Sequence, residues 1–293
     1  MLKRILNVPE KQTHRRLQEI CGDYGTEVFS KVRLADILPI EGSGIQDREY
    51  RYALQAHFDF TMATKDATPL FAVEFDGPSH AHARQAYRDD LKDSLCARFQ
   101  FPILRISSEF VTNKYRSMDL LGWLVEVWFL QKDFYLQQAA GVIAYDEPFD
   151  PRMVISRSNK PGRFPFWLSA PILTKVQRLF FEGKCKDPSP SWTVSLDRSN
   201  NYHGLAWLAL NADTTVYAQT KFRGQLFPVT LVELVSDIAT YEMHALLTKV
   251  LEGTAEPQPF ADFDHILAEF KKEYSLCGGA TCGSSGIFDG WRL

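Results

Sequence analysis

The chain has 293 residues, is 45% hydrophobic and 24% charged, and carries 33 Lys and Arg against 36 Asp and Glu, a formal net charge of −3. That length holds one large domain or two ordinary ones. The charge balance excludes a generally basic nucleic-acid coat protein and leaves any nucleic-acid contact to local basic clusters. Five scattered cysteines suit a reducing compartment better than a disulfide scaffold. The N-terminal MLKRILNVPEKQ lacks the long apolar segment of a signal peptide, and the most apolar run, Leu120 to Leu130, is about half a membrane span and contains Glu126. A soluble cytoplasmic protein with no membrane partner is the expectation.

Asn7-Val8-Pro9-Glu10 reads as a helix start, with Asn as N-cap, Pro in the first turn and Glu three residues on. The helix should run to about Cys21 with Leu17, Ile20 and Cys21 inward. Glu10 is then a capping carboxylate, a site carboxylate, or both. Residues 28–38 are strand-like, with Lys31 and Arg33 alternating with Val32 and Leu34, a basic face that suits either a phosphate backbone or solvent. Residues 39–50, with Pro39, Gly42, Ser43 and Gly44, read as a loop.

Two strand candidates, 56–64 and 70–76, flank a polar turn containing Lys65, Asp66 and Pro69, which predicts an antiparallel hairpin. Period-two alternation points Phe58 and Phe60 one way and Asp59 the other, and separates Val73 and Phe75 from Glu74 and Asp76. Three carboxylates on one face repel unless a cation or proton lies between them, an arrangement suited to a hard divalent metal. Gly77-Pro78-Ser79-His80 then puts an imidazole just past the acidic strand, where it can donate a proton to a leaving oxygen, contact phosphate or close the turn. A helix over 83–99 carries Arg88, Asp89, Lys92 and Asp93 on its polar side, and Phe101 to Ile106 reads as a buried strand returning beside the hairpin.

The order Asp59, Glu74-x-Asp76-Gly77, Ser79-His80, an Arg88-Asp89 helix with Lys92 and a closing Leu104-Arg105-Ile106 strand resembles the PD-(D/E)XK nuclease superfamily. It is most similar to an uncharacterised-domain branch near the very-short-patch-repair endonucleases. The segment Phe29 to Leu38 and the first helix, with Glu10 at the place of that family's helical acid, add to the resemblance, which covers about residues 7–130. The sequence departs from the pattern at Asp76, where the family carries lysine; Lys92 on the following helix is the candidate replacement. The resemblance implies Mg²⁺, with Mn²⁺ as substitute, held by Asp59, Glu74 and Asp76, with Lys92, His80 and Glu10 completing a catalytic set that hydrolyses DNA by an activated water. DNA repair, restriction or defence against mobile elements would suit such a chain; RNA, a homodimer and a protein partner stay open. The alternative is an inactive nuclease-like module that binds nucleic acid or a protein.

A helix with a wide apolar surface is predicted from about 118 to 138, and Gly141 to Pro165 reads as a linker. A second unit over 166–253 is predicted with a helix at 171–182, strands at 191–196, 203–210 and 214–222, and a long helix at 229–252. Its Trp192, Tyr202, Trp207, Tyr217 and Phe222, interleaved with Arg198, Lys221 and Arg223, suit either nucleic-acid stacking or a core. Residues 254–293 read as a short helix and a loosely held tail, and Cys277 and Cys282 as free thiols rather than a zinc pair. The expected architecture is α/β: a restriction-endonuclease-like core of mixed sheet flanked by helices over 1–140, followed by a smaller α+β unit.

Overall fold

The computed structural model describes residues 6–76, 83–116, 118–153 and 166–282. The chain is mixed α/β and forms two compact units: residues 1–166 with 225–229, and residues 167–224 with 230–293. His80 and His82 lie outside the described residues, as does 154–165 of the expected linker.

In the first unit, helix α1 (Val8–Asp23) leads into strand β1 (Glu27–Arg33), a single 3₁₀ turn at Leu34–Asp36 and helix α2 (Asp47–Gln55). Strands β2 (His57–Ala63) and β3 (Pro69–Phe75) form the hairpin, helix α3 (Ala83–Arg98) crosses over, and β4 (Ile103–Ile106) returns. Short α4 (Glu109–Thr112), β5 (Lys114–Tyr115) and β6 (Met118–Asp119) precede the long helix α5 (Leu120–Ala139). The sheet order is β1-β2-β3-β4, with the first two pairings antiparallel and β3–β4 parallel. The chain returns later to this unit, where the Ile103 amide donates to the Leu226 carbonyl at 3.0 Å.

Helix α2 falls partly in the segment read as loop. It begins where Glu49 accepts from the Gln46 amide at 2.8 Å. Over its nine residues it fully buries only Ala53, with Tyr50 and Tyr52 packing partly on the same cluster. That face is too short and too polar on average to stand out next to Gly42 and Gly44.

Alternate residues of β3 feed two cores. Ala72 packs in a cluster with Phe58, Leu95, Cys96 and Ile103, while Phe71 meets Trp128 of α5 with ring centroids 4.6 Å apart. Phe58 and Phe60 do not share a face as alternation predicted. Phe60 stacks on His14 of α1 at 5.7 Å, whereas Phe58 joins the cluster beneath α3. The pleat is broken opposite them: β1 pairs Ser30 with Phe60 and Val32 with Phe58 and skips Lys31, whose φ is 58°.

In the second unit, α6 (Ala170–Phe181) precedes β7 (Ser191–Leu196), β8 (Asn201–Ala209) and β9 (Thr214–Arg223). Helix α7 (Val232–Leu251), β10 (Gln258–Pro259), α8 (Phe260–Glu273) and β11 (Ser275–Ala280) complete it. The five-stranded order is β10-β9-β8-β7-β11. The segment from 254 onward, read as a helix and loose tail, therefore adds two edge strands. Gly278 and Gly279 carry no strand propensity, and β7 organises them by backbone pairing. Trp207 and Phe222 are buried, and Trp207 and Tyr217 both pack on Phe263 of α8, so these aromatics build core. Among the described residues, no helix is long and apolar enough to cross a membrane.

Gly204 of β8 lets α7 approach the sheet. A Cβ there would lie 2.8 Å from Val235 Cγ1 and 3.1 Å from the Val235 carbonyl oxygen, which belongs to backbone and cannot turn aside. Gly204→Ala is expected to destabilise the protein by about 1–3 kcal/mol, seen as a lower urea midpoint by circular dichroism.

Candidate functional site

The β2–β3 ladder ends at Phe60 and Val73. One residue further, Asp59 and Glu74 face each other, and their side chains replace the ladder. The Asp59 amide donates to Glu74 Oε1 at 3.1 Å, and the Phe75 amide donates to Asp59 Oδ2 at 2.9 Å. Each carboxylate is thus pinned through one oxygen by the backbone of the opposite strand, with its other oxygen turned to a lysine. Lys92 Nζ of α3 lies 2.6 Å from Glu74 Oε2 and also donates to the His57 carbonyl at 2.9 Å. Lys31 Nζ of β1 lies 2.6 Å from Asp59 Oδ1 and 3.0 Å from Glu10 Oε1.

Glu10 is the capping carboxylate that the sequence suggested, and it also meets Lys31. Its Oε2 accepts from the Asn7 amide at 2.8 Å, closing the capping box at the start of α1, while Oε1 takes the Lys31 ammonium. His57 contributes its carbonyl, and its side chain is exposed.

Asp76 has a different neighbour. Its carboxylate lies 3.4 Å from Nη1 of Arg105, the residue that pairs with Glu74 across β3 and β4. Arg105 is buried and also meets Asp93 at 2.7 Å and Asp89 at 3.5 Å. Asp59 and Glu74 are therefore joined directly, whereas Asp76 belongs with α3 carboxylates around a guanidinium. Among the described residues, no group of three or more His, Cys, Asp or Glu side chains is placed to hold a metal ion. A pair of carboxylates suits Mg²⁺, which commonly takes one or two and fills its remaining positions with water and phosphate oxygen.

Burial sets the electrostatics. Glu74 is 7% exposed, and its pKa is raised by desolvation, against the opposing pull of Lys92. Burial also works against the charges of Lys31 and Arg105. In Lys31 it is outweighed by the hydrogen bond and attraction of Asp59 and then Glu10, and in Arg105 by those of Asp93 first, so both pKa values end above the ordinary range.

The ion pairs of Lys31 and Arg105 with these carboxylates are what sequence reading missed. Arg105 carried a signal, a lone charge in the apolar run Phe101 to Ile106, which must be paired if buried. Lys31 was read only as part of a basic strand face, and its pairing with Asp59 became visible once β1 was registered against β2.

A family model described as "Protein of unknown function (DUF2726)" matches residues 2–119, the stretch containing all of these residues. No curated protein and no solved structure matches the chain.

Because its folded-state pKa is raised, Glu74 favours the fold fully below the ordinary glutamate value of about 4.3, and that contribution is lost as pH climbs through the raised value. Lys92 limits the loss by holding the ionised form. Lys92→Met is expected to cost about 3–5 kcal/mol at pH 8 by stranding a buried carboxylate. Urea midpoints should show the deficit narrowing at pH 5, as Glu74 takes up its proton; a deficit independent of pH would contradict this account.

Proposed function

We propose that Asp59, Glu74 and Lys92 form the active site of a divalent-metal-dependent nuclease with a restriction-endonuclease-like core, hydrolysing DNA phosphodiester bonds. The observation that carries this reading is the junction where β2 and β3 part: two carboxylates with backbone-fixed orientation and a lysine 2.6 Å from one of them. The fit to a metal rests on the donor set, two hard-oxygen side chains on adjacent strands. Mg²⁺, or Mn²⁺ in its place, would be held by Asp59 and Glu74, and when bound it supplies a lowered pKa for water and stabilisation of negative charge on phosphate oxygen.

The chain's own residues do the rest. The Asp59 and Phe75 amides hold the two carboxylates in place before substrate arrives, so little reorganisation is needed at the moment of reaction. An ammonium has three donors. Lys92 gives one to Glu74 and one to the His57 carbonyl, and the third serves an attacking water or a phosphate oxygen. Lys92 thus fills the role of the lysine that Asp76 replaces in the sequence pattern. Asp76 meets Arg105 on the α3 side of the sheet, and the reading rests on Asp59 and Glu74 without it.

One observation favours a second reading, a nuclease-like module that binds without cutting. Glu10, Asp59 and Glu74 already meet lysines, so the cluster is held together by protein charges alone.

A cleavage assay on supercoiled, linear and single-stranded DNA separates the two. With Mg²⁺ or Mn²⁺, the folded wild type is expected to nick or linearise DNA and EDTA to abolish it. Asp59→Asn and Glu74→Gln should each reduce the rate by about 100-fold or more, the scale of losing one charge-stabilising group. Metal-independent DNA binding with no turnover on any of the substrates would instead establish the binding module.

A further inference from the structure

We infer that Lys31 is a built-in counter-cation at the metal position of Asp59, with which a divalent cation competes; this rests on the metal-site reading above. Asp59 Oδ2 accepts from the Phe75 amide, while Oδ1 carries the Lys31 ammonium at 2.6 Å, so a dication placed on Oδ1 would share that oxygen with a positive charge. An ammonium and a dication on one carboxylate oxygen repel strongly. Binding of the metal at Oδ1 is therefore opposed by Lys31 and favoured once the ammonium moves off that oxygen.

The surroundings of Lys31 fit that exchange. Its side chain is 34% exposed, against 8% for Lys92, so it has solvent to move into while Lys92 stays enclosed. Glu10 stays behind as an anchor, because the capping box fixes its carboxylate through Oε2 while Oε1 holds the ammonium. Displaced from Asp59, Lys31 remains tethered at the rim of the site and presents a positive charge to an incoming phosphate.

The backbone adds an independent sign. Lys31 has φ 58° within a strand, a left-handed conformation that costs a residue with a Cβ about 1–2 kcal/mol. Glycine would sit there without that cost. Strain of this kind concentrates at functional positions.

The test is Mn²⁺ binding to the full chain by isothermal titration calorimetry, without nucleic acid. Lys31→Met removes the ammonium and keeps the side-chain bulk. Lys31→Gly removes it and relieves the backbone, which guards against a variant that fails to fold. Both are expected to bind Mn²⁺ at least about tenfold more tightly than the wild type, given the strength of charge–charge repulsion at contact distance. Asp59→Asn should lose binding. Unchanged or weaker binding in both Lys31 variants, with binding still lost in Asp59→Asn, would overturn the counter-cation and leave the metal site standing. Absence of Mn²⁺ binding in the wild type and in both variants would overturn the two together.

Discussion

The site depends on a pair of crossed hydrogen bonds. Where β2 and β3 stop pairing, the amides of Asp59 and Phe75 would be left without partners in a partly buried place, which costs as much as a lost hydrogen bond. The carboxylates of Glu74 and Asp59 take those amides, each across the gap to the other strand. The same two bonds end the ladder and orient the acidic side chains. Strand termination and the orientation of the two carboxylates are therefore one structural event, and a change at either carboxylate acts on both.

Two charge clusters sit side by side on this sheet. In one, Lys31 and Lys92 serve Glu10, Asp59 and Glu74; in the other, Arg105 serves Asp76, Asp89 and Asp93. Enclosed ion pairs of this sort add little net stability over well-packed apolar residues, but removing one partner is expensive. Their value lies in specification: Lys92 ties α3 to β3, and Arg105 ties α3 to β4. Guanidinium geometry suits Arg105 to several carboxylates at once, whereas Lys92 delivers a compact charge to one oxygen.

Much of the fold was legible in the sequence because it is written in local patterns. The hairpin, the crossover helix and the strands of the second unit follow apolar periodicity and turn residues. Helix α2 was not legible, since its apolar face is only nine residues long and made of half-buried tyrosines around Ala53. Nor was β11, since its glycines take strand form only by pairing with β7. At the site, Asp59, Glu74 and Lys92 could be named from order and spacing. Assigning Asp76 to Arg105 required the parallel register of β3 and β4, in which Glu74 lies opposite Arg105. Alternation also misplaced Phe58, which packs beneath α3 while Phe60 meets α1; the neighbouring strand is irregular there, at Lys31.

That irregularity explains why a helix cap matters to the site. The capping box of α1 is a local device that fixes the first turn and, with it, the Glu10 carboxylate. Lys31 reaches Glu10 and Asp59 together from the one position of β1 that forms no ladder pair with β2. The strained backbone is thus offset by two short ion pairs that link α1, β1 and β2 through a single ammonium. Remove its charge and the strain loses that compensation.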